Sequence, residues 1–263
     1  MAFLECSFYS CELGMDTQVQ IILPEARAGH RILSDKKYRL LYCLHGHSRD
    51  HSTFSRYGIL EHLLGNSDVI AVIPNAHRSF YMDERQGYRY FTYLTEELPV
   101  ILSNYFPVSR NSEDHYLCGF SMGGYGALRT ILKYPKRYAG AAIFSVASEP
   151  FECMDILDDV FPGMVPDLCS NIERIFGPRS EFSQTDGNLE LLIKKTAEHG
   201  VFPLVYHACG KQDVLYDMNQ RLRQQMEDVF PQAQYIYREE DGIHDWNFWN
   251  TQLRQMAEIF HFV

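Results

Sequence analysis

Gly119-Phe120-Ser121-Met122-Gly123 sets a serine midway between two glycines. This is the G-x-S-x-G spacing of a nucleophile held at the tip of a sharp bend between a strand and a helix. The spacing has a mechanical reason. The bend strains the serine backbone, so the residues two positions away on either side must be small for strand and helix to pass closely. A helix that starts directly after the serine also turns its N-terminal dipole toward the negative charge that acyl transfer develops. With glycine and serine each near ~7% of residues, a chain of this length contains roughly 0.1 such pentapeptides by chance. The alternative is a glycine-rich turn with an ordinary surface serine. The flanking sequence favours the nucleophile: 115–120 reads as a short apolar strand and 122–132 as a helix.

A serine hydroxyl attacks a carbonyl only if a base takes its proton. In folds built around this bend the order along the chain is Ser, then Asp or Glu, then His. Four of the eleven histidines lie downstream: His199, His207, His244 and His261. His207 sits inside an apolar strand pattern and reads as a core histidine. His199 ends a helix, where the dipole accounts for it, and His261 is in the tail. His244 stands in Asp241-Gly242-Ile243-His244-Asp245-Trp246, a turn between the last strand and the last helix, and is the expected base. Asp213 follows the strand at 201–209 in Cys209-Gly210-Lys211-Gln212-Asp213 and is the expected acid, holding the His244 tautomer. Glu149 is its rival, and Asp217 falls inside the next helix.

An oxyanion hole needs one backbone N–H after the nucleophile, here Met122, and one from the loop after an earlier strand. Leu44-His45-Gly46-His47 is that loop, and the His47 N–H is the expected second donor. The same stretch carries a reading of another class. His45, His47 and His51 approach the H-x-H-x-D-H ligand set of zinc hydrolases, but one extra residue separates His47 from Asp50. The site is therefore expected to hold no metal and no cofactor.

Those residues need a frame. The 263-residue chain, 46% hydrophobic and 22% charged, has the composition of a globular protein. Its formal charge of −10 argues against nucleic acid as a partner. Seven cysteines, an odd number without framework spacing, read as reduced thiols of a cytoplasmic protein, with Cys43, Cys118 and Cys209 inside buried strands. No signal pattern or membrane span is expected.

Two N-terminal strands, 3–13 and 17–23, show the alternation of an antiparallel pair at a sheet edge. Continuous apolar runs at 38–44 and 68–73 read as strands buried on both faces. Helices are expected at 54–64, 88–106 (interrupted at Pro99), 216–229 and 245–260. Further strands are expected at 138–146, 201–209 and 234–238, and 76–87 reads as a polar loop. Strand-then-helix alternation predicts an α/β fold: one domain spanning 1–263, mostly parallel, with helices on both faces. The segment 148–187 breaks the rhythm with prolines, glycines and exposed-looking Phe151 and Phe161, and reads as a lid inserted over the site.

Together the N-terminal strands, Leu44-His45-Gly46, Ile73-Pro74-Asn75, Tyr93-Leu94-Thr95-Glu96-Glu97-Leu98-Pro99, Gly119 to Ala127, Gly210 to Tyr216 and Gly242-Ile243-His244-Asp245-Trp246 resemble a known family over nearly the whole chain. It is the esterase D / S-formylglutathione hydrolase family of α/β-hydrolases, especially its bacterial tributyrin esterase and cinnamoyl (feruloyl) esterase branch. The resemblance implies the α/β-hydrolase fold, a Ser121–Asp213–His244 triad, and His47 and Met122 as oxyanion donors. It implies a serine carboxylesterase for small esters of acetyl, butyryl or feruloyl type, esters of plant sugars among them, and a homo-dimer or homo-tetramer. Arg49 stands where S-formylglutathione hydrolases carry a cysteine, which points away from that thioester. Segment 148–187 has no Trp, so the resemblance leaves the acyl group open.

Overall fold

A strand covered on both faces sends alternate side chains into two cores. The computed structural model, which describes residues 1–25, 35–160 and 168–263, has this arrangement. In β3 (Arg39–Leu44), Leu40, Tyr42 and Leu44 enter one core, and Leu41 and Cys43 the other. β4 (Val69–Pro74) is buried along its whole length. The half-solvated strands are β1 (Ala2–Ser10) and β2 (Met15–Leu23), which pair antiparallel. The parallel part continues through β5 (His115–Phe120), β6 (Gly140–Phe144), β7 (Leu204–Gly210) and β8 (Tyr235–Glu240).

The sheet order is β1-β2-β4-β3-β5-β6-β7-β8, and only β2 runs against the rest. After β3 the chain goes to one side for β4 and returns to the other for β5. The crevice between the C-terminal ends of β3 and β5 is the switch point where open α/β sheets bind ligands. This is the α/β architecture expected from the sequence, with the antiparallel pair at one edge.

One face carries α1 (Thr53–Tyr57), α2 (Leu60–Leu63) and α11 (Trp246–Ile259). The other carries α3 (Tyr90–Thr92), α4 (Leu98–Tyr105), α5 (Met122–Lys133), α9 (Leu189–His199) and α10 (Tyr216–Glu227). The single helix expected at 54–64 is two. A side chain at Gly58 would meet the Phe54 carbonyl at 2.5 Å, and Gly58 leaves the helix in an extended conformation (φ −89°, ψ 164°). The long helix expected at 88–106 contains a wide π turn, Tyr93–Glu97, between α3 and α4. Pro99 has no N–H to give Thr95, and the Thr95 carbonyl accepts from Arg137 instead.

Two expectations about loops change. In 76–87, Phe80 and Tyr81 are fully buried rather than lying on a polar loop. Phe151 is also buried: with Phe176 and Phe182 it forms a ring cluster with centroid separations of 5.4–6.3 Å. These rings join α6 (Pro150–Val160), α7 (Leu168–Phe176) and α8 (Arg179–Phe182) and rest on Phe80 and Tyr125. Arg174 also pairs with the buried Glu84. Phe161 lies outside the described residues. Among those described, no helix is long and apolar enough to cross a membrane. Cys43, Cys118 and Cys209 are free and buried, and burial raises their thiol pKa values.

Three buried histidines set an acid limit. Burial lowers His45, His47 and His207 from 6.5 to about 4. Between those values the unfolded chain holds more protons than the folded one, so stability falls as pH drops from 6.5 toward 4. Each histidine should withdraw up to about 3 kcal/mol over that window. Urea unfolding at pH 7 and pH 4.5 should show the loss, whereas a flat unfolding free energy contradicts the burial argument.

Candidate active site

The sharp bend forms where the sequence requires it. Ser121 lies between β5 and α5 at φ 55°, ψ −122°, a backbone conformation rare outside glycine. Its N–H donates to the Phe144 carbonyl at 2.9 Å, and its carbonyl accepts from Tyr125 N–H at 3.1 Å and Ala147 N–H at 3.3 Å. The small neighbours are explained by measured approaches. A Cβ at Gly119 would stand 2.2 Å from the Gly123 carbonyl oxygen, and a Cβ at Gly123 would stand 1.9 Å from that of Leu44.

His244 follows β8 and Asp213 follows β7, both at the C-terminal edge where β5 presents Ser121. His244 Nδ1 is 3.0 Å from each Asp213 carboxylate oxygen. The Asp213 side chain is fully buried, while that of His244 is 26% exposed, so the histidine meets the cavity and the acid stands behind it. Burial would raise the Asp213 pKa. The His244 hydrogen bond and charge, the Ser145 hydroxyl and the Leu215 N–H outweigh it, and the carboxyl sits below its usual value. Ser121 and His244 line one cavity of about 360 Å³ with Gly46, His47, Phe120, Leu157, Val214 and Trp246 among its walls. The His244 ring makes its hydrogen bonds to Asp213, and Ser121 Oγ makes none to it. Catalytic hydrogen bonds of this kind commonly tighten only with substrate bound.

Three residues not picked out from the sequence hold this pair. Ser145, directly after β6 with φ 48°, accepts from the Trp249 indole N–H at 3.0 Å and helps keep the Asp213 carboxyl below its usual pKa. The same indole packs edge-on against the His244 ring at 5.0 Å. Asn219 of α10 accepts from Val146 N–H at 2.8 Å and from His207 Nε2 at 2.9 Å, tying β7 and α10 behind the acid. The signals were faint: a serine closing an all-apolar strand, and a tryptophan one helical turn beyond the Asp245 cap.

His47 and Met122 flank the switch point, and neither N–H donates to a backbone carbonyl among the described residues. The Tyr81 hydroxyl donates to the His45 carbonyl at 3.1 Å and steadies this loop. His45 spends both ring nitrogens locally, on the Gly46 carbonyl at 2.9 Å and the Ala76 N–H at 3.0 Å. His51 lies 3.5 Å from Glu5. No three potential metal ligands cluster among the described residues. Glu149, the rival acid, makes no hydrogen bond to His244, and its N–H points to Met218 Sδ. His199 is the last residue of α9, and His261 is exposed.

Comparison with known proteins agrees with this architecture. A family model described as "Putative esterase" matches residues 10–260. An acetyl esterase of Caldicellulosiruptor saccharolyticus is 28% identical over 98% of this chain and 97% of its own. The fluorophosphonate-binding serine hydrolase FphF of Staphylococcus aureus superposes with a TM-score of 0.87 at 26% identity, over 98% of both chains. An S-formylglutathione hydrolase (FrmB) of the same organism superposes with a TM-score of 0.83 at 25% identity, again over 98% of both.

The close approach at the bend gives a stability test. Gly123→Ala must displace backbone rather than a side-chain tip, so its thermal midpoint should fall by at least about 5 °C, or no soluble protein should form. An unchanged melt contradicts the packing described.

Proposed function

We propose that this chain, which belongs to the esterase family and is a carboxylic ester hydrolase, works as a serine carboxylesterase on short-chain or small aromatic acyl esters. The observation that carries the reading is the single cavity bringing Ser121 and His244 together, with Asp213 hydrogen-bonded behind the imidazole. In this reading Ser121 Oγ attacks the ester carbonyl while His244 takes its proton. The N–H groups of His47 and Met122 bind the oxyanion. His244 then returns the proton to the departing alcohol, leaving an acyl-enzyme. Water, activated by the same imidazole, releases the acid. Asp213 keeps Nδ1 protonated and stabilises the imidazolium.

The acyl group follows from size and polarity. The walls contributed by Phe120, Leu157, Val214, Leu215 and Trp246 are apolar and enclose about 360 Å³, which suits a neutral acyl chain. Cys153 and Leu157 of α6 belong to that wall, so α6 to α8 act as the lid of one domain. The full-length likeness to a protein called an acetyl esterase supports the short-chain end of the range.

Ser121→Ala should fold and lose at least ~10³-fold in kcat on p-nitrophenyl acetate, and should not be labelled by a fluorophosphonate. Unchanged turnover by that variant removes the mechanism. Asp213→Asn should cost about 10³- to 10⁴-fold through the wrong imidazole tautomer, while Glu149→Gln should stay within about threefold. The reverse order would make Glu149 the acid. Both comparisons need only steady-state rates and a melting curve for each variant.

A further inference from the structure

Beside the catalytic cavity lies a second one of about 300 Å³, and the two share His47, Ser48 and Arg49. Their linings differ. The catalytic cavity is largely apolar, whereas the second is lined by Arg49, Arg56 and Arg78, with His77 and Tyr57. Three guanidinium groups converge here in a chain whose formal charge is −10. None of the three has a carboxylate within ion-pair distance among the described residues. Elsewhere arginines 39, 85, 89, 129, 137, 174, 179, 221 and 223 are each paired with an acid.

Arg49 and Arg56 each hold the guanidinium carbon 5.2 Å from the centre of the Tyr57 ring, which fixes the planes and leaves their N–H edges free. The one acid in the lining, Asp50, is turned to Ser52, whose N–H and hydroxyl donate to it at 2.9 and 2.6 Å. His47 lines both cavities and is 7% exposed as a residue, so the two sites are separated by one side chain.

We propose that this second cavity binds an anionic group, carboxylate or phosphate, on the ester itself, so that the preferred substrate has an apolar part beside Ser121 and a charged part among Arg49, Arg56 and Arg78. Guanidinium groups match both oxyanions with paired N–H contacts. This rests on the serine esterase reading and narrows its substrate class.

The test compares charged and neutral esters of one shape, taking the ratio of kcat/KM within each protein so that any general loss of activity cancels. On the alcohol side the pair is 4-acetoxybenzoate against 4-acetoxybenzamide, with 4-acetoxyphenyl phosphate as the phosphate arm. On the acyl side it is phenyl hydrogen glutarate against phenyl butyrate. In at least one pair the charged-to-neutral ratio should fall about tenfold or more in Arg56→Gln/Arg78→Gln. In the wild type, KM for that charged ester should rise with added salt while KM for its neutral partner stays level. Ratios unchanged by the double substitution in both pairs, or a salt-independent KM, overturn the anionic subsite and leave the esterase reading intact. Hydrolysis of the neutral esters by Ser121→Ala would instead remove the esterase reading.

Discussion

The backbone of Ser121 is held in a conformation that costs of order 1–3 kcal/mol, and the site is arranged around keeping it there. Three main-chain hydrogen bonds, to Phe144, Tyr125 and Ala147, anchor the residue to β6, to its own helix and to the loop after β6. Contact between Gly119 and Gly123 brings α5 directly against β5, and contact between Gly123 and Leu44 brings it against the end of β3. The N-terminus of α5 and the loop after β3 therefore meet at one point. That meeting places Met122 and His47 beside the switch point, each with a main-chain N–H that donates to no backbone carbonyl among the described residues. The pre-set geometry is what makes such donors effective, because they do not reorganise during reaction.

Behind the acid the interior is polar but satisfied. Asp213 is buried, yet accepts from His244 and the Leu215 N–H. Ser145 takes the Trp249 N–H, and Asn219 links His207 to Val146. Apart from the local Leu215 bond these links cross between elements and hold the chain after β6, β7, α10 and α11 in one register. In a low-dielectric interior a broken link leaves a costly unpaired group, which makes the network rigid as well as specific. Burial favours the neutral form of His207, whose Nε2 donates to Asn219 and whose Nδ1 lies 2.7 Å from the Tyr235 hydroxyl. The acid sensitivity of the fold thus sits in the same network that backs Asp213.

Charge is distributed on a similar principle. Most arginines are spent on ion pairs that tie loops to helices, such as Arg129 with Asp186 and Arg174 with Glu84. Arg49, Arg56 and Arg78 are the contrast, because they gather beside the reacting centre, where a cleft focuses the field on whatever enters.

Ser121, Asp213 and His244 could be picked out as candidates from the sequence because each is tied to a local pattern: a strand, a turn with the right residues, and a helix after it. The sheet was legible for the same reason, since burial on both faces leaves continuous apolar runs at β3 and β4. Local pattern failed where partners are distant. It puts Phe80 and Tyr81 in a polar loop and makes Phe151 look exposed, yet all three are buried by partners distant in sequence. Gly58 and Pro99 were visible, but the split helix and the π turn depend on what the freed backbone groups bond to next. The sequence alone marked the candidate reacting groups and their order along the chain, because strain and periodicity are properties of neighbouring residues. Only the tertiary structure decided that Ser145, Trp249 and Asn219 support them and that three arginines share a cavity, because contacts between residues up to about a hundred positions apart leave no mark on local pattern.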